Sequence, residues 1–134
     1  MLSSVLIVDD SVHIRRSLRM FIEHGSKVTV CGEAENGAIA IEKVKELRPD
    51  VVILDLQMPV MNGLEAAREI AAIAPQTAMV MLTMHSHELL TAEARAAGIV
   101  EVISKTDAIP AQLLAFLKRV LPETGIGPRT KQGN

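Results

Sequence analysis

Val51-Val52-Ile53-Leu54-Asp55-Leu56-Gln57-Met58-Pro59 is the stretch from which the rest of this sequence is read. Val51 to Leu54 are apolar and three of the four are β-branched, the composition of a strand buried on both faces of a parallel sheet. The run ends on a carboxylate, Asp55. Pro59 then stops regular structure, and Asn62-Gly63 reads as a turn. An acidic residue on the C-terminal tip of a buried parallel strand stands where open α/β sheets place their chemistry. Asp55 is therefore a candidate nucleophile for a phosphoryl group, provided the chain also supplies a cation site and a positive counter-charge.

Working outward, short β-branched runs recur at 5–8, 28–31, 78–82 and 99–103. Helical spacing fills the intervals. Ser11 to about His24 carries Val12, Leu18, Phe21 and Ile22 on one face. Asn36 reads as the cap of a second helix with Ala40, Ile41, Val44 and Leu47. A third follows Gly63 with Leu64, Ala67, Ile70, Ala71 and Ala74. The fourth runs from about Ser86 to Ala97 and closes on Gly98, suited to a left-handed cap. The fifth begins near Asp107, tolerates Pro110 in its first turn, and presents Leu113, Leu114, Leu117, Val120 and Leu121. Strict β–α alternation with short connections predicts a parallel sheet covered by helices on both faces. Five units are too few for an eight-fold barrel. The expected fold class is thus α/β, an open doubly wound parallel sheet, for which 2-1-3-4-5 is one common strand order. Residues 1–121 form the expected domain, and 122–134 a tail or the start of a linker.

Composition narrows the function classes. The chain of 134 residues is 49% apolar and 22% charged, as in a globular domain. It has no run of about 18 apolar residues that would span a membrane, and the expectation is a cytoplasmic protein without a secretory signal. Net charge is −2, with two phenylalanines and neither tryptophan nor tyrosine. Neither general affinity for nucleic acid nor a base-stacking platform is expected. Cys31, the single cysteine, reads as a small core residue rather than a reactive thiol.

Right-handed crossovers bring all the strand C-termini to one edge of the sheet. There the sequence places Asp9-Asp10, Asp55, Thr83 and Ser104-Lys105. Three neighbouring carboxylates repel one another unless a cation sits among them, and hard oxygen ligands with retained water suit Mg²⁺ or another divalent cation such as Mn²⁺. Lys105 is a point charge for a carboxylate and then for a phosphoryl oxygen. The Thr83 hydroxyl can donate to the same group. A carboxylate nucleophile is already deprotonated and needs no general base. No Walker-type loop is present, so the phosphoryl donor brings its own leaving group.

With these motifs in order, Val8-Asp9-Asp10, Leu54-Asp55-Leu56-Gln57-Met58-Pro59 with Asn62-Gly63, Met81-Leu82-Thr83 and Ser104-Lys105, the chain resembles the receiver domain of bacterial two-component response regulators from about residue 4 to 121. The resemblance implies a flavodoxin-like fold, and it is the resemblance rather than the alternation that selects the strand order 2-1-3-4-5. It implies phosphoryl transfer from the phosphohistidine of a sensor histidine kinase to Asp55. Mg²⁺ would be held by Asp10, Asp55 and the backbone carbonyl of Gln57, with Asp9 acting directly or through water. Lys105 and Thr83 would contact the phosphoryl oxygens. The output face would be the fourth helix, fifth strand and fifth helix, about 86–121, controlling a DNA-binding domain. A homodimer on phosphorylation is a further expectation, as is no catalysis beyond the chain's own phosphorylation and dephosphorylation.

Two positions depart from the family pattern. Val102 stands where a tyrosine or phenylalanine is usual, so no ring can swing in behind Thr83. Thr106 stands where proline usually follows the lysine. A cis bond there costs about 2.5–4 kcal/mol without proline and needs the site's contacts to hold it. Three rivals remain. An aspartyl-phosphate phosphatase would want an acid where Gln57 stands. A flavin- or nucleotide-binding module lacks its phosphate loop here. A pseudo-receiver would bind partners without phosphorylation control. His85 and His87 are read as polar loop residues rather than metal ligands, with His85 and Gln57 bordering the phosphoryl group. The Arg15-Arg16-Arg19 cluster is read as a solvated face beside the kinase-docking surface.

Overall fold

The predicted alternation of strand and helix is realised in the computed structural model, which describes residues 3–84, 88–105 and 109–121. In chain order the elements are β1 (Ser4–Val8), α1 (Val12–Gly25), β2 (Thr29–Ala34), α2 (Gly37–Leu47), β3 (Val51–Asp55), α3 (Gly63–Ile73), β4 (Ala78–Thr83), α4 (Glu88–Ala96), β5 (Glu101–Ser104) and α5 (Ile109–Val120). The strands pair in parallel in the order β2-β1-β3-β4-β5. The chain leaves β1 and β3 in opposite directions across the sheet, which opens a crevice at their C-terminal ends.

Two apolar layers sandwich the sheet, sorted by the period-2 alternation of strand side chains. Val5, Ile7, Val51, Ile53, Val80 and Leu82 pack with Leu18 and Ile22 of α1 and Leu113, Phe116 and Leu117 of α5. Leu6, Val8, Val52, Leu54, Met79 and Met81 face α2, α3 and α4. Each fully buried side chain of this size contributes about 1.5–3 kcal/mol before entropy. The central strand β3 is buried along its whole length, and Asp55 continues the alternation of Val51 and Ile53.

Local chemistry sets the boundaries. Ser11 caps α1 and Asn36 caps α2 by accepting from the amides of Ile14 and Ile39. Asn62 is an N-cap rather than part of a free turn: with Glu65 it forms a capping box, and Gly63 is the first residue of α3. Gly98 has φ +98°, the left-handed conformation expected after the fourth helix. Helical spacing puts Val12 on the buried face of α1, but it is 46% exposed, whereas Phe116, absent from the expected face of α5, is wholly buried. Strand β5 begins at Glu101 rather than residue 99: the Ile99 amide is still held by the Ala94 carbonyl at the end of α4, and Val100 turns its side chain to solvent. The expected helix starts at Ser86 and Asp107, and the 122–134 tail, lie outside the described residues.

Strand β2 also departs from expectation, continuing past Cys31 to Ala34. Val5 pairs with Val30 but Leu6 with Gly32, so Cys31 is an extra residue in the ladder. Its thiol is half-buried and donates to the Val5 carbonyl at 3.4 Å, and burial pushes the thiol up from its ordinary pKa. The bulge inverts the facing of the strand residues C-terminal to it. Val28 and Val30 lie in the α1–α5 layer, yet Ala34 lies in the opposite one, and Glu33 faces α1.

Candidate functional site

The site grows from the strand tips. Asp9 and Asp55 are nearly excluded from solvent, Asp10 is exposed, and one carboxylate oxygen from each lies within 4.8 Å of the others. Helix α1 is capped by Ser11, so the acid pair before it does not serve as the cap. Asp9 instead accepts the Ser11 amide at 2.9 Å on Oδ1. Lys105, at the end of β5, reaches across the sheet to Asp55 Oδ1 at 3.0 Å and Asp9 Oδ2 at 3.1 Å. Three carboxylates against one ammonium leave two negative charges uncompensated in the cluster, and its oxygens are the hard donors that a divalent cation takes.

The electrostatics reflect this crowding. Burial pushes the Asp55 carboxyl above its ordinary range; the hydrogen bond and charge of Lys105 oppose this, while Asp9 and Asp10 add to it. Burial works against the Lys105 cation, but its bonds to Asp55 and Asp9 outweigh that cost and hold the ammonium above its usual value. A cation beside Asp55 would favour its ionised form.

The loop from Leu56 to Met61 carries the remaining expected ligand. Gln57 is exposed, two residues beyond Asp55. The loop is pinned by Gly63 N–H to Leu56 O at 2.8 Å and by Gly37 N–H to Met61 O at 3.1 Å. Both glycines are required by close approach: a Cβ on Gly63 would stand 2.2 Å from the Asp55 carbonyl oxygen, and one on Gly37 would stand 2.7 Å from that of Met61. Between them Val60 takes φ +70°, an unusual conformation for a β-branched residue, with its side chain 82% exposed.

Thr83 is buried at the tip of β4, opposite Ser104, and its carbonyl accepts the Lys105 amide at 2.7 Å. The structure therefore gathers Asp9, Asp10, Asp55 and Lys105 into one contact network, with Thr83 at the same edge. Val102 sits beside Met81 and packs against the α2–α4 layer. His85, His87 and Thr106, with the bond before it, lie outside the described residues. Sequence reasoning missed that Arg15 and Arg19 are tied down. Arg15 Nε donates to Glu33 Oε1 at 2.9 Å and Arg19 Nε to Oε2 at 2.7 Å, while Arg15 Nη1 donates to the Asp9 carbonyl at 2.7 Å. Burial opposes the Glu33 charge, but the two guanidiniums prevail and lower its pKa. Only the bulge at Cys31 could have signalled this, and periodicity does not reveal a bulge.

Residues 5–118 match the family described as response regulator receiver domain. The chain is 38% identical over 116 residues to the chemotaxis protein CheY of Thermotoga maritima, covering 87% of this chain and 95% of that one. It is 40% identical over 92 residues to the transcriptional regulatory protein YdfI of Bacillus subtilis, covering 69% of this chain but 43% of that protein. Among solved structures it superposes with a TM-score of 0.81 and 27% identity on a chain of the CheX–CheY–BeF3–Mg complex from Borrelia burgdorferi, covering 88% of each.

Proposed function

The chain belongs to the response regulator receiver domain family, and from that premise we propose that it is a phosphorylation-controlled switch whose acceptor is Asp55. The observation that carries this reading is Lys105 Nζ held between two buried carboxylates, Asp55 and Asp9, with Asp10 alongside.

In the proposed reaction an Asp55 carboxylate oxygen attacks the phosphorus of a phosphohistidine on a sensor histidine kinase. The new O–P bond forms as the P–N bond breaks, and the electron pair leaves on the imidazole nitrogen. Asp9, Asp10, Asp55 and the Gln57 carbonyl would hold Mg²⁺ or a similar divalent ion, which when bound neutralises charge on the transferring oxygens. Lys105 turns from the Asp55 carboxylate to a phosphoryl oxygen, and the Thr83 hydroxyl donates a hydrogen bond to another. These residues position and stabilise rather than move protons. The chain catalyses no turnover beyond its own phosphorylation and dephosphorylation. That a solved relative is a complex with BeF3 and Mg supports a site for a phosphoryl-like group and a divalent cation.

Two surfaces suit the partners this function needs. An apolar groove of about 500 Å³ runs between α1 and α5, walled by Ile14, Leu18, Phe21, Ile109 and Pro110 and ending beside Lys105. A kinase helix seated there would present its phosphohistidine to Asp55. On the far side, Thr91, Arg95 and exposed Val100 line a cleft of about 190 Å³ between α4 and β5; we assign the output to this α4–β5–α5 face, including self-association and control of a DNA-binding output domain. No helix among the described residues is long and apolar enough to cross a membrane, which suits a cytoplasmic setting. The test is incubation with a small phosphoramidate and Mg²⁺, followed by intact mass. One hydroxylamine-labile phosphoryl group is expected on the wild type and none on Asp55→Asn; an unmodified wild type, or equal modification of both, contradicts the proposal.

A further inference from the structure

The Arg15 side chain is 15% exposed, and its guanidinium makes polar contacts with two elements other than its own helix: Glu33 on β2 and the Asp9 carbonyl at the tip of β1. That carbonyl belongs to the Asp9–Asp10 peptide, whose two carboxylates are both in the acid cluster. The other side of Asp9 is fixed by its amide, which donates to Ala34 O at 3.0 Å. Glu33 can reach Arg15 because the bulge at Cys31 turns it toward α1; an unbroken ladder would send its side chain toward α2. Arg19 completes the arrangement by taking the second oxygen of Glu33. Arg16, between them in sequence, is exposed and has no part in this network.

We propose that Arg15 is a positioning residue for the divalent cation site, fixing the Asp9–Asp10 peptide so that both carboxylates stay directed at the cation, with Glu33 locking Arg15 in place. The inference rests on the cation-site reading above. It makes a prediction whose sign is opposite to simple electrostatics. A positive charge near a cation site repels the cation, so deleting it should tighten binding if Arg15 is a bystander. If Arg15 holds the ligands, deleting it weakens binding, as loss of partners that orient metal ligands commonly does by about 10–100-fold.

The experiment is a Mg²⁺ titration of the full chain followed by amide NMR, on wild type, Arg15→Met, Arg15→Lys and Arg16→Met. Arg15→Met is expected to bind Mg²⁺ about tenfold more weakly, Arg15→Lys to fall between it and wild type, and Arg16→Met to bind as wild type or slightly tighter. In metal-free protein the Asp10 and Ser11 amides should exchange faster in Arg15→Met but not in Arg16→Met. Equal or tighter Mg²⁺ binding by Arg15→Met overturns the inference while leaving the site reading intact. A wild type that does not bind Mg²⁺ overturns the site reading itself, and the inference with it. Should Arg15→Met fail to fold, Arg15→Lys decides: weaker binding supports the role, and unchanged affinity overturns it.

Discussion

The ends of β1 and β3 share one edge of the sheet with the ends of β4 and β5, yet the two halves present different surfaces. At β1 and β3, Asp9 N–H bonds Ala34, Arg15 bonds the Asp9 carbonyl, and the loop after Asp55 is pinned by Gly63 and Gly37. At β4 and β5 the Lys105 amide bonds Thr83, and just beyond, Met84 and Leu89 are 67% and 68% exposed. The contrast fits the tasks of the proposed switch. Charges that must bind a cation and attack phosphorus are held within narrow limits, whereas the half that reports the event has apolar surface free to change partners.

The largest expected blow to the tightly held half is Gly63→Ala. Its Cβ would collide with the Asp55 carbonyl oxygen, which is backbone and can yield only if β3 or α3 shifts. We expect a loss of roughly 3 kcal/mol in denaturant unfolding and impaired Mg²⁺ binding in whatever remains folded. A near-native response would mean that the loop is looser than the contrast requires.

A smaller effect of opposite sign is expected from Asp55→Asn without metal. The Asp55 carboxyl is raised in the folded state, chiefly by burial and against the pull of Lys105. A raised group stabilises the fold below its ordinary pKa and loses that contribution as pH rises through the folded value. Metal-free wild type therefore carries an electrostatic cost at neutral pH that Asp55→Asn removes. Thermal unfolding should show a midpoint a few degrees higher for the variant at neutral pH, with the gap closing as pH falls into the carboxylate range. A lower midpoint at neutral pH would show that the Lys105 pair outweighs the crowding.

The least effect is expected in the other half. Val102→Ala trims a half-buried side chain on the α4 side of the sheet and should cost under about 1 kcal/mol, leaving Mg²⁺ affinity unchanged by calorimetric titration. A marked change in affinity would mean that the two halves are more strongly coupled than the contacts suggest.

Much of this is legible in the sequence because parallel strands buried on both faces are written as apolar runs. The apolar run and its terminal acid mark Val51–Asp55 to the residue, and the motif at each strand tip points to Asp9, Asp10, Asp55, Thr83 and Lys105. The illegible part depends on features that periodicity cannot carry. The extension of β2 through Gly32 and Glu33 looks polar in sequence and depends on a bulge together with two arginines from α1. The inward turn of Phe116 and the outward turn of Val12 come from how α5 and α1 lie on the sheet. Arg15 and Arg19 read as solvated because nothing in one dimension brings Glu33 to them.

The central claim, that one acidic pocket biases the output half, is tested most directly by titrating the chain with Mg²⁺ and beryllium fluoride while monitoring backbone amides. The expected result is Mg²⁺-dependent shifts beginning at Asp9, Asp10 and Asp55 and, once beryllium fluoride is added, spreading to Thr83, Lys105, α4 and β5 in the wild type but not in Asp55→Ala. Shifts confined to the three acids, or the same response in Asp55→Ala, would contradict it.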